Sequence, residues 1–173
     1  MKNEHSRQAT IERVPRHEKV LRAELVALLK GGQAHLTFED AIAGFDPTLR
    51  GHRPRRLPHS GWELLEHLRI AQHDILQFIV DPHYESPPWP QGYWPTSPGP
   101  PSAAAWDESV EAYLADRQAV IELIEDSRRD LAQTISHGQG QTFLREAMLI
   151  ADHDAYHLGQ LVQVRRLLGD WRI

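Results

Sequence analysis

Apolar residues recur at helical spacing in four long stretches of this chain, and no other feature restricts the possible folds as much. Residues three or four positions apart share one face of a helix, so the spacing predicts one buried side per helix. The predicted helices cover residues 16–30, 61–80, 103–127 and 142–168. No segment competes with the alternating pattern of a strand. The sequence therefore predicts an all-α four-helix bundle, with one domain over residues 1–173.

Local signals support the first two predicted helices. Ser60 is followed three residues later by Glu63, which is the capping-box pattern at the start of a helix. In the first helix, the spacing of Leu21, Leu25 and Leu28 predicts that these three side chains face the core.

The connections between the helices differ in kind. Residues 31–59 are predicted to hold a short helical turn near residues 38–44. Residues 81–101 are rich in Pro, Trp and Tyr, and proline excludes both helix and central strand. Because the aromatic residues argue against disorder, we expect an ordered crossover packed over one end of the bundle. The short link at 128–140 favours antiparallel packing of the third and fourth helices.

Composition excludes several classes of protein. The chain has no cysteine, which excludes disulfides, cysteine-zinc sites, iron–sulfur clusters and a cysteine nucleophile. Its net charge is -5 and it has no long basic run, so nothing indicates a nucleic-acid partner. The N-terminus lacks a signal-peptide pattern, and the apolar runs are too short to span a membrane. We therefore expect a cytoplasmic protein that binds neither nucleic acid nor membrane.

Three histidines occupy positions where the pattern predicts buried residues. His153 and His157 are four residues apart in the fourth predicted helix, so their rings point the same way. Both lie on its apolar stripe, and His67 lies on the apolar stripe of the second helix. Three neutral imidazoles that converge inside a bundle form a site for a divalent transition metal with an open coordination position. The alternative is a set of buried histidines that only form hydrogen bonds.

Carboxylates flank these histidines in the sequence. Glu63 and Glu66 lie near His67, and Asp152 and Asp154 lie beside His153. Metal-binding histidines usually donate their second N–H to a carboxylate or a carbonyl. The flanking acids are therefore the expected partners of the outer ring nitrogens.

The segment His153–His157 also invites comparison with the zinc-protease pattern His-Glu-x-x-His. Asp154 would stand where the catalytic glutamate belongs, with a shorter side chain. A protease of this type needs a third ligand downstream, but the only acidic residue after His157 is Asp170. The protease interpretation is therefore rejected.

Five further residues could contribute to a site. His59 precedes the second helix and is predicted to be a surface loop residue rather than part of the site mouth. Asp74 is expected to bond a helix or loop donor, such as an arginine or a tryptophan N–H, rather than to support His67. Gln160 either bonds a metal-bound water or caps the core, and Trp89 and Trp94 either line a pocket or only pack.

Residues 62–76, the Pro/Trp-rich crossover and residues 152–161 together resemble the DinB/YfiT-like superfamily of metal-dependent helical bundles. The resemblance covers about residues 21–169. It implies nickel or zinc as the metal, an open side for water or substrate, and a homodimer. In that family one histidine of the second helix and an H-x-x-x-H pair of the fourth hold the metal. These ligands map onto His67, His153 and His157.

The resemblance leaves the function open between two classes. The first is a metal-dependent transferase or hydrolase that acts on a small-molecule substrate with a low-molecular-weight thiol or a metal-bound water. Because the chain has no cysteine, such a thiol would be a cosubstrate. No catalytic residue is assigned, and Asp154 and Glu66 are the candidates for a base. The second is a non-catalytic metal-binding or stress-response module with a structural ion.

Overall fold

The computed structural model describes residues 15–171, and the chain is helical over this range. Between residues 81 and 104 the structure adds one 3-10 turn, Gln91–Tyr93. In the described range there is no strand, and one isolated β-bridge pairs Thr134 with Thr142. The prediction of an all-α protein is thus confirmed. The helices are α1 Arg16–Lys30, α2 Phe38–Ile42, α3 Gly61–Val80, α4 Ala105–Glu125 and α5 Phe143–Leu167.

The long helices pack around α3, which contacts both α4 and α5, while α1 contacts α4 and α5 from another side. Two apolar clusters fill the space between them. Leu65 and Leu68 of α3 belong to the first cluster together with Leu158 of α5. Leu76 of α3 and Ile150 of α5 belong to the second cluster. The segments of α3 and α5 that carry the three histidines therefore lie near the junction of the two clusters.

The predicted inner face of α1 is partly wrong. Leu25 is buried as predicted, but Leu21 and Leu28 are 37% and 47% exposed. Arg22 and Leu29 take the inward positions instead. The Arg22 guanidinium donates to the carbonyl of Asp126 at 3.1 Å, just beyond the end of α4, and it also bonds the carbonyl of Ile124. The terminal carbonyls of a helix lack partners within the helix, so a long arginine at this position satisfies them.

The start of α3 has the predicted capping box. Ser60 Oγ accepts from the Glu63 N–H at 3.2 Å, and the Glu63 carboxylate accepts from the Ser60 N–H at 2.8 Å. The segment after α3 differs from the expectation of no helix because it contains the short 3-10 turn. Pro90 precedes this turn, where its missing N–H breaks no helical bond. The turn contacts α3, so the segment lies against the helix that carries His67.

None of the helices within residues 15–171 combines the length and the apolar composition that crossing a bilayer requires.

Candidate metal centre

Helices α3 and α5 bring the three predicted histidines to one point. His67 Nε2 lies 3.0 Å from His153 Nε2 and 3.1 Å from His157 Nε2. The ligand atoms of the three rings all lie within 4.8 Å of one another. His67 and His157 are buried, and His153 is partly exposed. The geometry thus joins one residue of α3 with an i, i+4 pair of α5.

The Nδ1 atoms of two of the rings form hydrogen bonds with groups outside the cluster. His67 Nδ1 lies 2.8 Å from the Tyr93 carbonyl oxygen, and His157 Nδ1 lies 3.1 Å from Gln160 Oε1. A carbonyl only accepts, so the proton of neutral His67 is on Nδ1 and its Nε2 presents a lone pair. With Gln160 oriented as it is here, the same argument places the His157 lone pair on Nε2.

The arrangement of these Nε2 lone pairs suits coordination of a metal ion and does not suit direct contact among the rings. Two Nε2 lone pairs at about 3 Å repel unless a proton or a cation lies between them. Zinc–imidazole bonds of about 2.0–2.1 Å in a tetrahedral arrangement would separate neighbouring nitrogens by about 3.3 Å. The separations of 3.0 and 3.1 Å are close to that value. The three histidines therefore form a donor set suited to a divalent metal.

Burial keeps the rings in the form that binds a metal. Desolvation lowers the pKa of His67 to about 4, against a smaller opposite effect of its hydrogen bond to the Tyr93 carbonyl. Desolvation also lowers the pKa of His157 to about 4, and the neighbouring His153 and His67 lower it further. At neutral pH both imidazoles are therefore uncharged, as metal coordination requires.

An aromatic stack covers the site on the side of the segment after α3. The Trp94 ring is stacked on His67 with centroids 3.9 Å apart and planes at 4°. His59 is stacked on Trp94, also at 3.9 Å. The expectation that His59 is simply a surface loop residue is therefore wrong, because the loop before α3 folds back over the crossover and half-buries its ring.

A cavity adjoins the histidines on the α5 side. Its volume is about 360 Å³, within the range of small-molecule sites. His157 contributes both to the cavity wall and to the cluster of ring nitrogens. Trp94 and His59 form part of the same wall, whereas Trp89 is 73% exposed and does not. The wall consists of Leu57, Pro58, His59, Leu64, Trp94, Tyr156, His157, Gln160, Gln163 and Val164.

The flanking glutamates do not support His67 as expected. Glu63 is bonded to Arg53 and the start of α3, with Arg53 Nε donating at 2.8 Å. Glu66 accepts from Arg69 at 2.8 and 2.9 Å. Each glutamate has a nearby arginine that satisfies it, which leaves the backbone carbonyl as the acceptor for His67.

The flanking aspartates do not form hydrogen bonds with the histidines either. Asp152 is exposed, and Asp154 is buried between α4 and α5, where it accepts from the Tyr113 hydroxyl at 2.7 Å. Burial raises the pKa of Asp154 above its usual range. The other carboxylate oxygen of Asp154 is 3.8 Å from His153 Nδ1, which is too long for a hydrogen bond.

Asp74 supports the centre indirectly, through a link that the sequence did not reveal. Its carboxylate accepts from the Tyr93 hydroxyl at 2.7 Å, and the Tyr93 carbonyl in turn accepts from His67. The expected loop donor is thus a tyrosine rather than an arginine or a tryptophan. Burial raises the pKa of the Tyr93 phenol, which keeps its proton available for this bond. A backbone carbonyl that accepts a hydrogen bond cannot be recognised from residue type. The sequence therefore indicated a role for this segment only through its aromatic residues.

The chain matches a protein-family model. The family model described as DinB superfamily matches residues 32–161. This range includes the three histidines, Tyr93 and Trp94. Comparison with curated proteins and with solved structures finds no match.

Proposed function

Because the chain belongs to the DinB superfamily, we propose that it is a metal-dependent enzyme acting on a small molecule. In this proposal the four long helices form the four-helix bundle of that family, with the Pro/Trp-rich segment as its crossover. The reaction is a transfer or a hydrolysis, with an external thiol or water as the nucleophile. The chain has no cysteine, so it cannot supply a thiol nucleophile of its own.

The proposed metal ligands are the Nε2 atoms of His67, His153 and His157, with nickel or zinc as the metal. When bound, the metal supplies Lewis-acid activation of the nucleophile or of the substrate. Tyr93 and Gln160 hold the outer nitrogens of two rings and so fix their orientation. Trp94 covers the face of His67 and limits the access of water from that side.

The earlier candidates for a base lose their support. Asp154 is bonded to Tyr113, and Glu66 is bonded to Arg69. Neither contributes to the cavity wall. We therefore assign no catalytic base among the described residues.

The observation that carries the enzymatic proposal is the position of His157. One face of this residue belongs to the cavity and one nitrogen belongs to the proposed ligand set. A molecule in the cavity would thus contact a metal ligand directly. A purely structural site has no need for such a cavity.

The second candidate function is a non-catalytic metal-binding module. It is favoured by the fact that the three rings come from two helices, because an ion held by them would cross-link α3 and α5. Such a link adds the binding free energy of the metal to folding.

Metal binding is tested by calorimetric titration of the purified protein with Ni²⁺ and Zn²⁺. We expect one equivalent per chain for the natural protein and for His73→Ala, whose ring bonds Asp116 on the other side of α3. His153→Ala should weaken binding by about 10- to 100-fold or more, because one of three ligands is lost. Unchanged affinity in His153→Ala would contradict the ligand assignment.

Catalysis is tested separately with metal-loaded protein and small electrophiles, alone and with a panel of small thiols. The enzymatic proposal predicts turnover that requires the metal and is lost in His153→Ala. Full metal occupancy without turnover across the panel would favour the structural module.

A further inference from the structure

The cavity beside the candidate metal centre has a wall of unusual charge composition. None of its lining residues in the described part of the chain is Lys, Arg, Asp or Glu. This is notable in a chain of which a quarter of the residues are charged. The wall is mainly apolar, with Leu64 and Val164 buried. An ion that entered this space would lose its hydration without gaining a counter-charge from the wall.

Apart from the Tyr156 phenol, the ionisable group of the wall outside the proposed ligand set is His59. Burial lowers the pKa of His59 below its usual range, so its ring is uncharged at neutral pH. The nearest full charges compensate each other, because the Glu63 carboxylate accepts from Arg53 in two hydrogen bonds. The cavity therefore receives little net field from this side.

Trp94 contributes its edge rather than a free stacking face. His59 and His67 both lie parallel to it with ring centroids 3.9 Å away. Two rings this close to one centroid cannot share a face without a clash, so they cover opposite faces. Besides the Tyr156 ring, the surface left for a flat ligand is the aliphatic wall formed by Leu57, Leu64 and Val164.

Two amides contribute uncharged polar groups to the cavity wall, together with the Tyr156 hydroxyl and the rings of His59 and Trp94. Gln160 uses its oxygen to bond His157, which leaves its NH₂ group as a donor. Gln163 is exposed at the wall and offers both a donor and an acceptor. Amides recognise hydroxyl, carbonyl or amide groups but do not neutralise an ion.

We propose that this cavity binds an uncharged, largely apolar small molecule with one or two hydrogen-bonding groups, and that it discriminates against ionised acids and amines. The inference rests on the proposed function, for which it names the class of substrate. It also restricts a thiol cosubstrate that enters this cavity to one without a charged group near the sulfur.

The test compares three probes of similar size at pH 7.5: benzyl alcohol, benzylamine as its ammonium ion, and benzenesulfonate. Binding is measured by calorimetry on metal-loaded protein and on metal-free protein. We expect benzyl alcohol to bind the metal-free protein at least about tenfold more tightly than either ion. In the metal-loaded protein we expect this margin only over benzylamine, because the positive charge of the bound metal attracts the sulfonate. In the metal-free protein, equal binding of the three probes, tighter binding of an ion, or no binding of benzyl alcohol would overturn the inference.

A charge placed in the wall sharpens the test. Gln163→Lys replaces an exposed residue, so the fold should tolerate it, and it should raise the affinity for benzenesulfonate at least about threefold. The matched control is Gln118→Lys, which places the same charge on exposed α4 surface away from the cavity and should change nothing. An equal gain in both variants would show a general charge effect and would contradict the assignment to this cavity.

Metal content of the same samples separates the two proposals. Selective binding of benzyl alcohol by a protein that takes up neither nickel nor zinc would refute the proposed function and leave the cavity assignment intact. Metal binding through the histidines without selectivity among the probes would refute the cavity assignment alone.

Discussion

His67 is constrained on three sides before any metal binds. Its Nδ1 donates to the Tyr93 carbonyl, its ring face lies against Trp94, and its Nε2 faces the two histidines of α5. The ring therefore has little freedom to rotate, and the entropy cost of ordering it falls on folding rather than on metal binding.

The depressed pKa values predict how the metal-free protein responds to acid. His67 and His157 have a pKa of about 4 in the folded chain and about 6.5 when unfolded. Between these values the unfolded state binds more protons, so the free energy of unfolding falls as the pH falls from about 6.5 to about 4. Above about pH 6.5 the two groups contribute no pH dependence.

The measurement is urea unfolding of metal-free protein at several pH values. His157→Gln removes one of the two groups and should reduce the slope of stability against pH in this window. Gln118→Asn, an uncharged substitution on the exposed surface of α4, serves as the control and should keep the natural slope. A slope that His157→Gln leaves unchanged would contradict the assignment.

For single residues, the sequence predicts the side chains of the candidate centre but not their hydrogen-bond partners. The i, i+4 spacing and the apolar stripes identified His67, His153 and His157, because helical geometry fixes which residues share a face. The partner of His67 is a backbone carbonyl, which sequence does not mark. The sequence predicts a surface position for His59 and does not reveal its stacking on Trp94, because the path of its loop depends on distant packing.

The segment after α3 holds the centre through Tyr93. Its hydroxyl donates to Asp74 of α3, and its carbonyl accepts from His67. Among the described residues the other oxygen of Asp74 is buried without a hydrogen bond, and the Tyr84 phenol also lies near this carboxylate.

Tyr93→Phe should destabilise the protein by about 1 kcal/mol and weaken metal binding, because a partly buried carboxylate loses the Tyr93 donor and the carbonyl is less firmly placed. Chemical denaturation and calorimetric metal titration measure the two effects. Tyr156→Phe, at a 66% exposed position of α5, is the control and should change stability little. Equal effects of the two substitutions would refute the positioning role of Tyr93.

The start of α3 depends on the absence of a side chain at residue 61. A Cβ atom on Gly61 would lie 2.3 Å from Phe45 Cε1, and Phe45 is buried in the first apolar cluster. Gly61→Ala should therefore cost about 1–3 kcal/mol, because a packed aromatic ring must move.

Gly159 of α5 provides the matched comparison. Apart from the adjacent backbone of its own helix, a Cβ atom there would meet no heavy atom of residues 15–171 within 4 Å. Gly159→Ala should stabilise the protein by about 0.5–1 kcal/mol, because alanine loses less backbone freedom in a helix. Thermal unfolding of both variants measures the difference, and destabilisation by Gly159→Ala with tolerance of Gly61→Ala would contradict the packing described.

The secondary-structure elements are largely predictable from the sequence. Apolar periodicity and the Ser60 capping box placed α3 at residues 61–80, as observed, because these signals act locally. The inner face of α1 was misjudged because Arg22 is buried to satisfy carbonyls near the end of α4. That requirement comes from a helix about a hundred residues away, so the local pattern of leucines could not reveal it.

At the scale of the whole molecule, the candidate centre lies between the two helices that share the main core. An ion bound there would oppose unfolding of α3 and α5 together, by about 2.7 kcal/mol when the free metal is at 100 times its dissociation constant. The single domain over residues 1–173 and the homodimer both stay predictions. Light scattering of the purified protein, with a chain mass of 19.8 kDa, would test the homodimer.

The central claim is that three imidazoles from α3 and α5 hold one metal ion. A crystal structure of the nickel-loaded protein, with anomalous diffraction recorded above and below the nickel edge, tests it most directly. We predict one anomalous peak per chain, bonded to Nε2 of His67, His153 and His157. A peak elsewhere, or three rings hydrogen-bonded to one another with no ion between them after loading, would contradict the account.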